Sequence, residues 1–228
     1  NVTIDSMAEF LTIFDYNDLD IGVWKSISAR LEKKIYKEIK QNERYKKRAK
    51  ISDFIHKEND EFNGIVKYLT DKTGGNIHDN GTISITASSF GQSNPPQNLV
   101  NLNQSNYYLT KNGQESDIWV CFDFKDMEIE VSSYTMKSYI GGTGLAHPKN
   151  WTIEVSSDGS DWVKIDEHTN SSELNGSNII KTFNVSPSRF VRFVRFHHTG
   201  EYWGWGRYVL SLNSIEFYGR LKEPISDK

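Results

Sequence analysis

The sequence predicts an all-β antiparallel sandwich that follows a small helical N-terminal region. After about residue 75 the apolar periodicity changes from helical to alternating. The alternating runs are short and are separated by turns rich in Gly, Pro, Asn and Ser. The stretch NWTIEVSSDGSDWVKID (150–166) has the pattern of a β-hairpin with a tryptophan in each arm. Short strands at this spacing are typical of a sandwich or barrel.

Composition describes an ordinary globular chain of 228 residues with a formal net charge of −3. Such a charge gives no whole-molecule field for nucleic acid or an anionic membrane, and neither is expected as a partner. No apolar run reaches the roughly 18 residues that a spanning helix needs. Cys121 is the single cysteine. An internal disulfide is therefore excluded, which favours a reducing, cytoplasmic setting. The chain begins at Asn1, and we expect a fragment or a processed product.

Residues 1–60 carry sequence patterns typical of helices, whereas most of the remaining chain carries patterns typical of strands. Segment 6–16 has a serine at an N-cap position and a glutamate three residues later, as in a capping box. Over 22–48 a longer helix is predicted by an apolar stripe at spacings of three and four residues, formed by Trp24, Ile27, Leu31, Ile35 and Ile39. We expect this stripe to pack on the first helix or on the sandwich. A coiled-coil partner is the alternative.

The end of the longer helix is basic. Between residues 31 and 50 there are nine Lys or Arg and three Glu, a local charge of +6. One interpretation is that these basic residues form a contact surface for an acidic protein or nucleic acid. The alternative is that they lie on a solvated helix face. The residues of the candidate contact surface are Lys40, Arg44, Lys47 and Arg48.

Beyond the helical region we predict one short helix over 62–70 and then strands. The strands are expected over 82–86, 119–124, 131–139, 151–155, 181–185, 190–196 and 214–218, with a second arm of the hairpin before residue 166. Both faces of 190–196 carry apolar residues, so we expect both to be covered, one of them by the helical region.

The hairpin itself follows from residue chemistry. Trp151, Ile153 and Val155 fall on one face of an extended strand because side chains alternate. Asp158 and Gly159 supply the backbone freedom that a tight reversal needs.

Five segments in series resemble the discoidin-type, or F5/8 type C, domain of the galactose-binding-like (jelly-roll) superfamily. They are IWVCFDF, SSYTMKSY, HPKNWTIEVSSDGSDWVKID, FVRFVRFHHTG and IEFYG. The resemblance places a discoidin-like sandwich at 61–222, with a flexible tail at 223–228. The form is similar to domains found C-terminal to BTB-type modules in intracellular proteins of unicellular eukaryotes.

This resemblance implies a binding module with no catalysis and no cofactor. Partners of the superfamily engage loops at one end of the sandwich, which correspond here to 88–97, 103–117, 140–148 and 199–208. The best candidate is the last loop, in which aromatic faces could stack on a sugar or a protein and a guanidinium could bind a carboxylate. Its candidate residues are Tyr202, Trp203, Trp205 and Arg207. The alternative is that the indoles plug the end of the sandwich.

Histidines and the cysteine offer little chemistry. His147, before Pro148, would contact a ligand or satisfy a loop carbonyl. His197 and His198 are adjacent in a strand and point to opposite faces, so no metal site is predicted. Cys121 lies mid-strand and is expected to be inert.

Together these features predict a module that recognises a macromolecule through its loop end. A protein partner, within an intracellular adaptor or scaffold, is the first hypothesis. A lectin-like glycan-binding module is the alternative, and a structural role in a larger assembly is a third.

Overall fold

The computed structural model describes residues 33–34, 49–102, 105–111, 117–204 and 209–225. The chain divides into two compact units, Asn1–Arg48 and Ala49–Lys228. In the first unit the described residues are Lys33 and Lys34, and both are helical. The rest of the predicted helices, and their packing on the sandwich, lie outside the described residues.

The second unit is an antiparallel sandwich, as the sequence predicts. Its described elements are β1 (Ala49–Phe54), α1 (Ile65–Thr73), β2 (Ser84–Ala87), a short 3-10 helix (Pro96–Val100), β3 (Tyr108–Leu109), β4 (Ile118–Asp123), β5 (Glu128–Ser138), β6 (Trp151–Ser156), β7 (Val163–His168), β8 (Ile180–Asn184), β9 (Phe193–His198) and β10 (Ser211–Pro224). The first sheet has the order β1-β10-β5-β8, with β3 also paired to β10. The second sheet has the order β2-β4-β9-β6-β7.

The predicted hairpin is formed by β6 and β7. Ile153 pairs with Asp166 and Val155 with Val163 in antiparallel register. Gly159 has a φ of 81°, a conformation that costs glycine little, and this sets the reversal between the strands. Asp158 closes the turn, because its carboxylate accepts hydrogen bonds from the backbone of the next residues.

The core lies between the sheets and is filled by alternate residues of facing strands. The Phe122 ring of the second sheet meets the Phe217 ring of the first edge-on, with centroids 5.3 Å apart. The Trp151 indole is fully buried and donates to the Tyr134 hydroxyl across the sandwich at 3.1 Å. Each such buried aromatic stabilises the fold by roughly 1.5–3 kcal/mol. The sheets are therefore joined by packing and by a satisfied polar contact.

Contacts on the outer face of the second sheet explain why β9 carries an apolar residue on that side as well as on the core side. Arg195 points outward, donates to Glu154 at 2.7 Å and lies 4.0 Å above the Trp162 ring. Phe193, two residues earlier, meets the same indole edge-on. Side chains of the hairpin thus cover this face in part. Coverage by the helical region stays a prediction.

Helix α1 lies against β10 and is capped by a strand residue. Gly64 precedes the helix and has no side chain to cap it. The fully buried Glu216 of β10 takes this role, accepting hydrogen bonds from Val66 N at 2.7 Å and Lys67 N at 3.0 Å. Burial raises the pKa of this carboxyl to about 7.

The structure corrects the predicted domain limits. Ala49–Phe54, assigned above to the helical region, is an edge strand of the sandwich and pairs with β10 over its whole length. At the other end β10 continues to Pro224, beyond the predicted boundary at residue 222. The sandwich therefore begins at Ala49, and the two terminal segments complete its first sheet together.

Candidate functional site

The four predicted loops meet at one end of the sandwich. Between them lies an open cleft of about 820 Å³. The described residues of every one of these loops contribute to its wall. The lining is Gly91, Leu109, Thr110, Lys111, Tyr139, Gly144, Leu145, Ala146, Gly204 and Val209.

The walls of the cleft are mostly apolar. Tyr139 directly follows β5 and packs against Tyr107, with ring centroids 4.6 Å apart. Partial burial and the neighbouring Tyr107 raise the pKa of Tyr139, so its hydroxyl stays protonated at neutral pH. Leu145 lies at the rim and is 45% exposed. The cleft thus offers one aromatic and several aliphatic surfaces to a ligand.

His147 lies behind the cleft. Its side chain is fully buried, and Nε2 lies 3.1 Å from Gly141 O and 3.0 Å from Gly142 O. Nε2 must carry the proton, because both neighbours are acceptors. Burial lowers the pKa of the imidazole. This geometry corrects the ligand-contacting role considered for His147, since the ring faces no solvent and holds loop 140–148 in shape.

Trp203 stands beside the cleft and is half-buried. Its backbone pairs with that of His147 through two hydrogen bonds, of 2.9 and 3.1 Å. Its indole donates to Ser171 O at 2.6 Å, and Lys149 Nζ lies 4.9 Å from the ring centroid. Lys149 also pairs with Glu201 at 2.9 Å. The indole is therefore fixed by residues outside the cleft lining, while Gly204 next to it forms part of the wall.

Tyr202 is packed near a second buried histidine. Its ring centroid lies 5.5 Å from that of His198, and Tyr202 has a further contact. His198 is 2% exposed and its Nε2 has no partner among the described residues. Burial lowers the pKa of His198 to about 4. The loop 199–208 thus leaves β9 beside an imidazole that must stay neutral.

Six predicted site residues lie in parts of the chain that the structure does not describe. Trp205 and Arg207 lie outside the described residues, as do those of the basic contact surface, Lys40, Arg44, Lys47 and Arg48. Their roles stay predictions.

The described residues offer no metal site, and the single cysteine is unreactive. No cluster of three or more His, Cys, Asp or Glu among them could hold a metal ion. Burial raises the pKa of the half-buried Cys121 thiol to about 11, so the reactive thiolate is scarce at neutral pH. No helix in the described part of the chain is long and apolar enough to cross a membrane.

Lys111 and Tyr139 are cleft residues that the sequence analysis did not single out. A lysine in a polar loop has no distinctive pattern. Tyr139 lay at the end of a predicted strand and was treated as part of the sheet. The available signal was that Lys111 lies in one of the four converging loops and that Tyr139 directly precedes another.

An antiparallel sandwich with a cleft walled by loops at one end is a discoidin-type architecture. A family model described as "F5/8 type C domain" matches residues 84–210, more than half of the chain. The chain belongs to the F5/8 type C domain family, which confirms the resemblance.

Two solved structures illustrate the likeness. The family 32 CBM from Clostridium perfringens NanJ, in complex with galactose, has a TM-score of 0.50 and 17% identity, over 60% of this chain and 94% of that chain. CpGH89CBM32-5 from Clostridium perfringens, in complex with GalNAc-β-1,3-galactose, has a TM-score of 0.49 and 17% identity, over 61% of this chain and 96% of that chain. The first of these similarities shows a shared fold.

Proposed function

We propose that this chain is a non-catalytic binding module that holds a sugar residue of a glycan in the cleft at its loop end. The observation that carries the proposal is the convergence of four loops on one cleft. Its volume of about 820 Å³ falls in the range of roughly 300–1,000 Å³ that small-ligand sites occupy. Tyr139 and Leu145 supply the apolar surface that the C–H face of a sugar ring packs against.

The comparisons favour a glycan over the protein partner that was our first hypothesis. The NanJ module, which shares the fold, was solved in complex with galactose. Fold alone does not determine function. This likeness therefore supports a sugar as the ligand but does not identify which sugar. Tyr202, Trp203, Trp205 and Arg207 remain candidate contacts, because their loop contributes Gly204 to the cleft wall.

A glycan array with the intact chain tests the proposal, followed by calorimetry with any glycan that binds. Leu145→Asn removes an apolar contact at the rim and should weaken binding about fivefold or more, since burying half a leucine is worth about 1 kcal/mol. Val163→Asn is the matched control, because Val163 is a similarly exposed aliphatic residue on β7, outside the cleft lining. It should leave the affinity unchanged. An array without a single bound glycan, or equal effects of both variants, would contradict the proposal.

A protein ligand at the same end is the second candidate. Phe90 and Ile140, in two of the loops that wall the cleft, are 47% and 61% exposed. Large exposed apolar residues in loops at one end of a domain favour a protein interface. A partner that co-purifies with the intact chain and with Val163→Asn, but not with Leu145→Asn, would support this candidate.

We further propose an intracellular location and a place in a larger adaptor or scaffold next to a BTB-type module. The support is limited to the single cysteine, Cys121, and to the form of the domain described above. Fractionation of cells that express the tagged full-length protein tests the location. Recovery from the secreted fraction would contradict it.

A further inference from the structure

We infer that the cleft prefers an acidic sugar, one that carries a carboxylate or a sulfate, and that Lys111 determines this preference. This inference rests on the proposed function, because it names the class of sugar that the same cleft would bind.

The first observation is the charge of the lining. Lys111 is exposed and is the only charged side chain among the described residues that line the cleft. No carboxylate is among these lining residues to offset its charge. The remaining lining is glycine, aliphatic residues, Thr110 and Tyr139. The ammonium group therefore gives this part of the cleft a net positive charge, which attracts an anionic ligand.

The second observation is that most backbone donors of the lining are used within the protein. Six of its backbone N–H groups donate to protein atoms, those of Gly91, Leu109, Thr110, Lys111, Gly144 and Leu145. The Thr110 hydroxyl accepts from Leu210 N at 2.9 Å and is buried, so a ligand cannot reach it. The Tyr139 hydroxyl shares a hydrogen bond with Tyr107. The six N–H groups and the Thr110 hydroxyl are therefore not free to bind a ligand.

This distribution fits one ligand chemistry. A neutral hexose has hydroxyls on most of its ring and would leave several of them without partners in such a cleft, which is unfavourable. An acidic sugar concentrates its strongest acceptor in one group, which Lys111 can bind, and presents its C–H face to Tyr139 and Leu145. The hydrogen bond to a charged group is roughly twice as strong as a neutral one.

The experiment uses the full chain and sugars that differ in a single group. Galactose is compared with galacturonic acid and with galactose 6-sulfate by calorimetry or ligand-observed NMR at low salt. We expect at least one acidic sugar to bind about tenfold more tightly than galactose. The two acidic probes separate a carboxylate ligand from a sulfate ligand. We also expect the preference to shrink as salt is raised, because ions screen the exposed ammonium.

Lys111→Gln should remove the preference for an acidic sugar over galactose, which is measured as the ratio of the two affinities in the same variant. Lys57→Gln is the matched control, because Lys57 is an exposed lysine that does not line the cleft. It should retain the preference. Galactose bound as tightly as both acidic sugars, or a preference that survives in Lys111→Gln, would overturn this inference and leave the proposed function intact. A chain that binds no sugar at all would overturn both.

Discussion

The helix side and the loop end of the sandwich handle buried polar groups in opposite ways. Beside α1, the buried Glu216 carboxylate is surrounded by backbone N–H donors, and Glu223 accepts from the Tyr68 hydroxyl at 2.8 Å. At the loop end, His147 and His198 are buried and each has one ring nitrogen without a partner among the described residues. The carboxyls on the helix side thus have hydrogen-bond donors around them, whereas each buried imidazole at the loop end keeps one nitrogen without a partner among the described residues.

This difference makes the two regions respond oppositely to pH. The pKa of Glu216 is raised, so the stability it contributes is present at low pH and lost as the pH rises through about 7. The pKa of His198 is lowered, so its contribution is present above about 6.5 and lost as the pH falls through about 4. Mild acid should therefore stabilise one side of the molecule and loosen the other.

The largest effect is expected at the seam between β5 and β10. Gly219 has a φ of 134°, and a Cβ placed there would lie 1.9 Å from the Glu130 carbonyl oxygen. Gly219→Ala should lower the free energy of unfolding by more than about 3 kcal/mol, because backbone atoms of the central strands must move. Urea unfolding measures the change. Gly142→Ala is the control, since a Cβ there meets nothing within 4 Å, and it should cost less than about 0.5 kcal/mol. Equal losses of stability in the two variants would show that β5 and β10 accommodate a Cβ at residue 219.

The next effect concerns the cap of α1. Glu216→Gln turns an amide NH₂ toward backbone N–H groups, and we expect a loss of about 2 kcal/mol at pH 7. Relative to the variant, the wild type should lose about 3 kcal/mol of stability between pH 4.5 and 7.5, because the two proteins share every other titrating group and differ only in the Glu216 carboxyl. Denaturant unfolding at several pH values measures both. Glu167→Gln alters an exposed carboxylate on β7 and should leave the slope unchanged. If Glu216→Gln keeps the wild-type slope, the carboxylate does not titrate in this range.

A smaller, local effect is expected at the loop end in acid. Between pH 7 and pH 5, amide hydrogen exchange, corrected for its intrinsic pH dependence, should accelerate in 140–150 and 199–204. It should slow at Val66 and Lys67 in α1. Protonation of the buried His198 opposes the folded loop and can cost up to about 3 kcal/mol once complete. The neutral variant His198→Gln should lose the acceleration. If hydrogen exchange changed in the same direction in both regions, Glu216 and His198 would not control the stability of the two regions separately.

The smallest effect concerns Leu145 at the cleft rim, whose contribution to the free energy of unfolding we expect to be small. Leu145→Asn should lower the free energy of unfolding by about 1 kcal/mol or less, because the side chain is 45% exposed and burial of half a leucine contributes about that much. Thermal unfolding measures the change. A loss above about 2 kcal/mol would mean that the rim leucine is part of the core.

Local patterns in the sequence predicted the sandwich well and the site only in part. The alternation in 151–155 and the Asp158-Gly159 turn were sufficient for the hairpin, because strand period and turn chemistry are local. β1 was missed because AKISDF does not alternate and gains its stability from pairing with β10, about 170 residues away in sequence. Context overrides local preference in such an edge strand.

The site was harder because side-chain direction depends on tertiary contacts. His147 could not be assigned from its neighbours in sequence, since its burial depends on how loop 140–148 folds back on Gly141 and Gly142. Lys111 became notable only once three other loops were seen to surround it. The convergence of the loops was predictable from the family resemblance, but the chemistry of the cleft was not.

The half-buried Cys121 makes this protein a clean subject for thiol-reactivity kinetics. It is the single sulfhydryl in the chain, and its high pKa keeps it slow to alkylate in the native state. Its side chain lies on the outer face of the second sheet, because the residues on either side of it, Val120 and Phe122, are buried in the core. The labelling rate therefore reports how well the outer face of β4 is covered, and no probe needs to be engineered into the molecule.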